Sequence, residues 1–138
     1  MQTSGKIRYR DHYKYQMDEE WWVDTPITNA ACELPRFIAL EASGRLTVRA
    51  GYAWDGPSGP TSDTKDFMRG SLAHDALYQL MREGLLAQKW RKAADRLLHD
   101  LCRQDGMSWF RAWYVLKAVR EFAASAAKRQ SADILTAP

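Results

Sequence analysis

The chain has 138 residues, 46% of them hydrophobic and 27% charged, with a formal net charge of +3. Such a length and balance suit one globular domain with material for a core and exclude a disordered chain. The basic excess is too small to mark a nucleic-acid binder, which gathers Lys and Arg on one face, so no nucleic-acid partner is expected.

Residues 1–52 read as strand-rich. The opening "MQTSGKIRYRDHYKYQ" has no apolar stretch of the kind that begins a secreted chain. Within it, Ile7, Tyr9, Tyr13 and Tyr15 take alternate positions, broken at Asp11-His12. "EWWVDTP" is a short aromatic strand that ends at Pro26. Phe37–Leu40 and Arg45–Ala50 flank the turn residues Ala42-Ser43-Gly44 and predict a hairpin. The expected product is a small antiparallel sheet of three to four strands.

Residues 53–66 have loop composition, with Gly, Pro, Ser, Thr and Asp crowded together. Beyond them the apolar period changes from two to about 3.6. Phe67, Ser71, His74, Leu77, Tyr78 and Met81 share a helical stripe, with Asp63 or Thr64 to cap its start and Gly84 to stop it. A second helix is predicted from about Gln88 to Gln104, with Trp90, Ala94, Leu97, Leu98, Leu101 and Cys102 facing inward. A third runs from about Ser108 to Lys128, with Trp109, Trp113, Leu116, Val119 and Phe122 or Ala123 on its inner face. The short link between the first two helices makes them antiparallel. Residues 129–138 read as a frayed tail. The fold class is therefore α+β, a single domain of small antiparallel sheet followed by three helices.

Two cysteines, Cys32 and Cys102, stand apart from any CxxC and read as small buried hydrophobes. No apolar run reaches the roughly 18 residues of a membrane span. A soluble chain made in a reducing cytoplasm is expected.

One group of residues has the spacing of a chemical site. His74 and Tyr78 are i and i+4 and share a helix face. Asp75 is turned about 100° from His74. An antiparallel second helix brings Asp95 beside His74. A carboxylate on one ring nitrogen fixes the tautomer and leaves the other nitrogen to take a proton from water. "WDGPSGP", just before the helix, is a sharply turning loop whose backbone carbonyls, with Asp75, suit a hard cation such as Ca²⁺. The same residues have a bland reading. His74, Tyr78 and Asp95 can simply pin two helices together, and Asp55, Asp63 and Asp66 can serve turns and caps. Arg111, Lys117, Arg120, Lys128 and Arg129 read either as a solvated face or as a surface for anionic lipid. His12 and His99 have no motif around them. Ser58 and Ser71 lack a nucleophile elbow, and no HExxH is present.

These stretches resemble the phospholipase A2 active site, in particular its parvoviral capsid form. "WDGPS" (54–58), "HDALY" (74–78) and "ADRLL" (94–98) match its Tyr-x-Gly-Pro-Gly loop, His-Asp-x-x-Tyr helix and Ala-Asp helix in order. The resemblance implies His74 as general base, Tyr78 and Asp95 as its orienting pair, and Asp75 as the calcium carboxylate. It implies carbonyls of Trp54, Gly56 and Ser58 in the metal shell, with the Gly56 N–H facing the oxyanion. Trp54 replaces the loop's Tyr, and Ser58 replaces its second Gly. Asp55 is a further candidate beside the metal.

A second resemblance covers roughly residues 37–122. "GYAWDGPSGP", "SLAHDALY", "KAADRLL" and "FRAWYVLKAVREF" are similar, in that order, to segments of a tailed-phage and prophage domain family of unknown function. It implies a phage or prophage origin and synthesis in the cytoplasm of an infected or lysogenic bacterium, with association with the virion as a further expectation. The expected activity is calcium-dependent hydrolysis of a lipid ester, with a phospholipid or membrane surface as partner. The alternative is a non-enzymatic virion or tail-assembly component, or an inhibitor of a host protein, contacting its partner through the aromatic third helix.

Overall fold

The computed structural model describes residues 1–11, 15–56 and 64–126, and the side chains of the last helix through residue 121. His12, Ser58 and Asp63 lie outside the described residues. In chain order the elements are β1 (Tyr9–Asp11), β2 (Tyr15–Met17), β3 (Trp21–Asp24), β4 (Cys32–Leu34), β5 (Ile38–Leu40), β6 (Arg45–Val48), β7 (Ala53–Trp54), α1 (Lys65–Arg82), α2 (Arg91–Gln104, entered through a 3-10 turn at Gln88–Trp90) and α3 (Trp109–Ala126).

The class is α+β, strands first and helices after. The strands form two antiparallel sheets, β1-β2-β7 and β3-β6-β5-β4. The predicted hairpin is β5–β6, and β1 and β2 pair antiparallel, Tyr9 opposite Met17 and Asp11 opposite Tyr15. In the larger sheet the alternation is clean. Trp21, Val23, Ile38, Leu40, Leu46 and Val48 point into the core. On the outer face, the Arg45 guanidinium lies 3.7 Å over the Trp22 ring and bonds Asp24. β4 and β7 were not expected. With three and two residues they are too short to show a period, and β7 falls inside the stretch read as loop.

α1 is the central element. It is buried on most sides, with Met68, Leu72, Ala73, Ala76 and Leu80 covered as well as the predicted stripe, of which only His74 is half-buried. Its C-terminus closes as a Schellman motif: Gly84 N–H donates to the Met81 carbonyl and Leu85 N–H to that of Leu80, with Gly84 at φ 74°. At its start, Thr64 holds the cap position, but its hydroxyl donates to Asp66 and makes no cap bond to a helix N–H.

α2 runs back along α1, since Arg69 meets Asp105, Gly70 meets Leu98 and Cys102, and His74 meets Asp95. Gly70 permits the approach: a Cβ there would lie 2.7 Å from Leu98 Cδ1 and 3.0 Å from the Leu98 carbonyl oxygen. Arg69 ties the far end together, bonding Asp105, Gln104, Thr3 Oγ1 and the Gly5 carbonyl. Cys32 and Cys102 are both free, and burial pushes the Cys102 thiol up to about 12.

The expected inner face of α3 needs correction. Leu116 and Val119 are buried as expected, but Trp109 and Trp113 are 65% and 44% exposed, and Ala112 and Val115 take their place against the core. Ala112 lets α3 settle close against Phe67, Leu98, Cys102 and Met107, which a Trp at the contact would prevent. Phe122 and Ala123 lie beyond the described side chains.

Candidate active site

α1 and α2 carry the first part of the site. His74 Nε2 is 2.7 Å from Asp95 Oδ1, and the Tyr78 hydroxyl donates to the same oxygen at 2.6 Å. The His74 and Tyr78 rings lie with centroids 4.1 Å apart and planes 30° from parallel. The i, i+4 spacing on one helix thus delivers two partners to one carboxylate on the other. Asp95 is fully buried, and its Oδ2 has no partner among the described residues. Burial, then the bond and charge of Asp95, push the Tyr78 phenol above its usual range, so Tyr78 remains a donor. An ionised Asp95 keeps the His74 proton on Nε2 and leaves Nδ1 as an acceptor.

β7 and the residue before it carry the second part. Strand residues 52 and 54 project on one side, about 6.6 Å apart along the chain. Helix residues 71 and 75, one turn apart, rise about 6 Å. The two spacings match. The Trp54 indole N–H donates to Ser71 Oγ at 3.1 Å, and the Tyr52 hydroxyl donates to Asp75 Oδ2 at 2.5 Å. Both aromatic side chains are buried. This pair of bonds fixes where the chain enters the loop and places Gly56 beside α1.

Gly56, at φ 83°, lines a cavity of about 30 Å³ with Ser71, His74 and Asp75, walled by Phe67, Leu98 and Val119. That volume accommodates a water molecule. The structure therefore brings together His74, Tyr78 and Asp95 as one network, and Asp75 and Gly56 beside it. Asp55 is exposed but close enough for its charge to act on Asp75. Trp54 is placed as a packed anchor, with its strand paired to Tyr15.

Asp75 is more constrained than the sequence suggested. Its Oδ2 accepts from Tyr52, and its Oδ1 is 4.0 Å from the Arg82 guanidinium. Burial raises its carboxyl above the usual carboxylate range, against the lowering effects of the Tyr52 bond and the Arg82 charge. Among the described residues no three His, Cys, Asp or Glu side chains converge on a possible ion. Among the residues that line the cavity, the Asp75 carboxylate supplies oxygen ligands of the kind a hard cation such as Ca²⁺ takes.

Tyr52, Ser71 and Arg82 were not assigned to the site from sequence. The available signal was the aromatic pair Tyr52-x-Trp54, whose period of two continues to the edge of the loop. Compared with protein-family models, with curated proteins and with solved structures, the chain finds no match in any of the three. Among the described residues no helix is long and apolar enough to cross a membrane.

Proposed function

We propose that this chain is a calcium-dependent lipid ester hydrolase of phospholipase A2 type, of phage or prophage origin. The observation that carries the reading is the His74–Asp95–Tyr78 network bordering a water-sized cavity shared with Asp75 and Gly56. His74 Nδ1 takes a proton from a water whose oxygen attacks the ester carbonyl. The imidazolium formed is stabilised by Asp95, which Tyr78 holds in place. The proton then passes from His74 to the departing alkoxide, which leaves as an alcohol. Asp75 and the Gly56 carbonyl, with Trp54 and Ser58 of the same loop, are the groups that would hold Ca²⁺. When bound, the cation supplies charge that polarises the ester carbonyl. The order of the loop, His-Asp helix and Ala-Asp helix supports both the chemistry and the viral ancestry. Synthesis in the bacterial cytoplasm, with the protein free or carried in the virion, belongs to the same reading.

The test is turnover of dispersed phospholipid with and without Ca²⁺. Release of fatty acid by the wild type, lost in His74→Ala with the circular dichroism spectrum kept, supports the hydrolase. A chain that folds, gives the same trace in both forms and cleaves nothing defeats it.

One observation favours a second reading, a non-enzymatic virion, tail-assembly or host-inhibitor protein. Trp109, Phe110, Trp113 and Tyr114 are all at least 44% exposed on two successive turns of α3, the kind of aromatic surface that partners bury. In that case His74, Tyr78 and Asp95 pin α1 to α2. Substituting these aromatics by Ser then abolishes assembly or inhibition, and substituting His74 does not.

A further inference from the structure

We infer that Tyr52 is a positioning residue that competes with a divalent cation for Asp75; this rests on the calcium reading above. The Tyr52 side chain is 5% exposed, and its hydroxyl reaches no carboxylate other than that of Asp75 among the bonds of the described residues. It occupies Oδ2, while the Arg82 guanidinium stands 4.0 Å from Oδ1. Both oxygens of the Asp75 carboxylate are thus addressed from within the protein. Ca²⁺ binds carboxylates through these same lone pairs. A cation that engages Asp75 must share Oδ2 with the phenol or displace it.

The backbone leaves the phenol little freedom. Tyr52 N–H donates to the Arg49 carbonyl, and its own carbonyl accepts from Met17. Two residues on, the Trp54 indole is fastened to Ser71. The ring is therefore held over Asp75 by the register of β7 on α1 and does not swing clear as an exposed tyrosine would. The arrangement sets the cation affinity of Asp75 below that of an unencumbered carboxylate. Removing the hydroxyl while keeping the ring releases Oδ2.

The experiment is a Ca²⁺ titration of the full chain, read by the rise in melting temperature and by calorimetry, for wild type, Tyr52→Phe and Asp75→Asn. A hydrogen bond to a charged group is strong enough that Tyr52→Phe should lower the Ca²⁺ midpoint by about tenfold. Asp75→Asn should abolish the response. Equal midpoints for wild type and Tyr52→Phe, or a weaker response in Tyr52→Phe, overturn the role of Tyr52 while leaving the calcium site standing. No response in either protein overturns the calcium reading and this inference with it. Melting without Ca²⁺ checks that Tyr52→Phe keeps the fold.

Discussion

His74 and Asp95, twenty-one residues apart, meet through Nε2 and Oδ1 at 2.7 Å, and Tyr78 bonds the same carboxylate oxygen. Tyr78→Phe keeps the ring stack and removes one donor from a buried anion. A hydrogen bond to a charged group is worth about 1.5–3 kcal/mol, so urea denaturation of this variant should show a loss of that order. Turnover of phospholipid should fall by a smaller factor than in His74→Ala, because the base itself remains.

Gly70→Ala tests the α1–α2 contact. Alanine is the better helix former by about 1 kcal/mol, but its Cβ would meet Leu98 Cδ1 at 2.7 Å and Cys102 Sγ at 3.0 Å. Overpacking of a closed contact costs about 1–3 kcal/mol, and the Leu98 carbonyl cannot turn aside as a side chain can. A net destabilisation is expected by chemical or thermal denaturation. An unchanged or raised melting temperature would show that α2 moves away without cost.

Asp75 gives a pH prediction. Burial, outweighing the Tyr52 bond, raises its folded carboxyl above the usual 3.8. The folded state then binds this proton more tightly than the unfolded state does. Stability from this group is therefore fully present below about pH 3.8 and is lost as pH rises through the folded value. Asp75→Asn keeps an acceptor for Tyr52 without the charge. Relative to wild type it should gain stability at neutral pH, with the difference closing in acid. Denaturation curves across pH 3 to 7 decide the matter, and a variant less stable at pH 7 contradicts the sign.

The Arg69–Asp105 pair is largely buried, with side chains 13% and 20% exposed. Arg69→Ala removes the N-terminal arm's bonds at Thr3 and Gly5 along with the ion pair. Breaking a buried pair from one side costs about 3–5 kcal/mol. Partial exposure places the expected loss at the lower end. Hydrogen exchange should quicken first at Ser4 and Asp24, whose amides bond across the arm to the Trp22 and Gln2 carbonyls.

Most of the helical half could be read from the sequence because its signals are local. Gly84 stops α1 where the period ends, and the i, i+4 pair His74–Tyr78 needs only a helix to share a face. Asp95 followed from the short link that folds α2 back. The strands were harder. β4 and β7 are too short to alternate, and the division into two sheets depends on β7 pairing with β2 across more than thirty residues. On α3, Leu116 and Val119 face inward as expected, but Trp109 and Trp113 give way to Ala112 and Val115, because periodicity does not say which of two adjoining stripes a neighbour can approach. Tyr52 was missed for a related reason: its partner, Asp75, is twenty-three residues away, and no local pattern joins a strand entrance to a helix turn.

The matched spacing of Tyr52 and Trp54 against Ser71 and Asp75 also limits how the molecule can change. One residue inserted between the two aromatics would send one ring to the opposite side of the strand. One residue inserted between Ser71 and Asp75 would rotate the carboxylate by about 100°. Neither length change can be absorbed locally, so the chain length within both intervals is fixed by this one pairing of strand and helix.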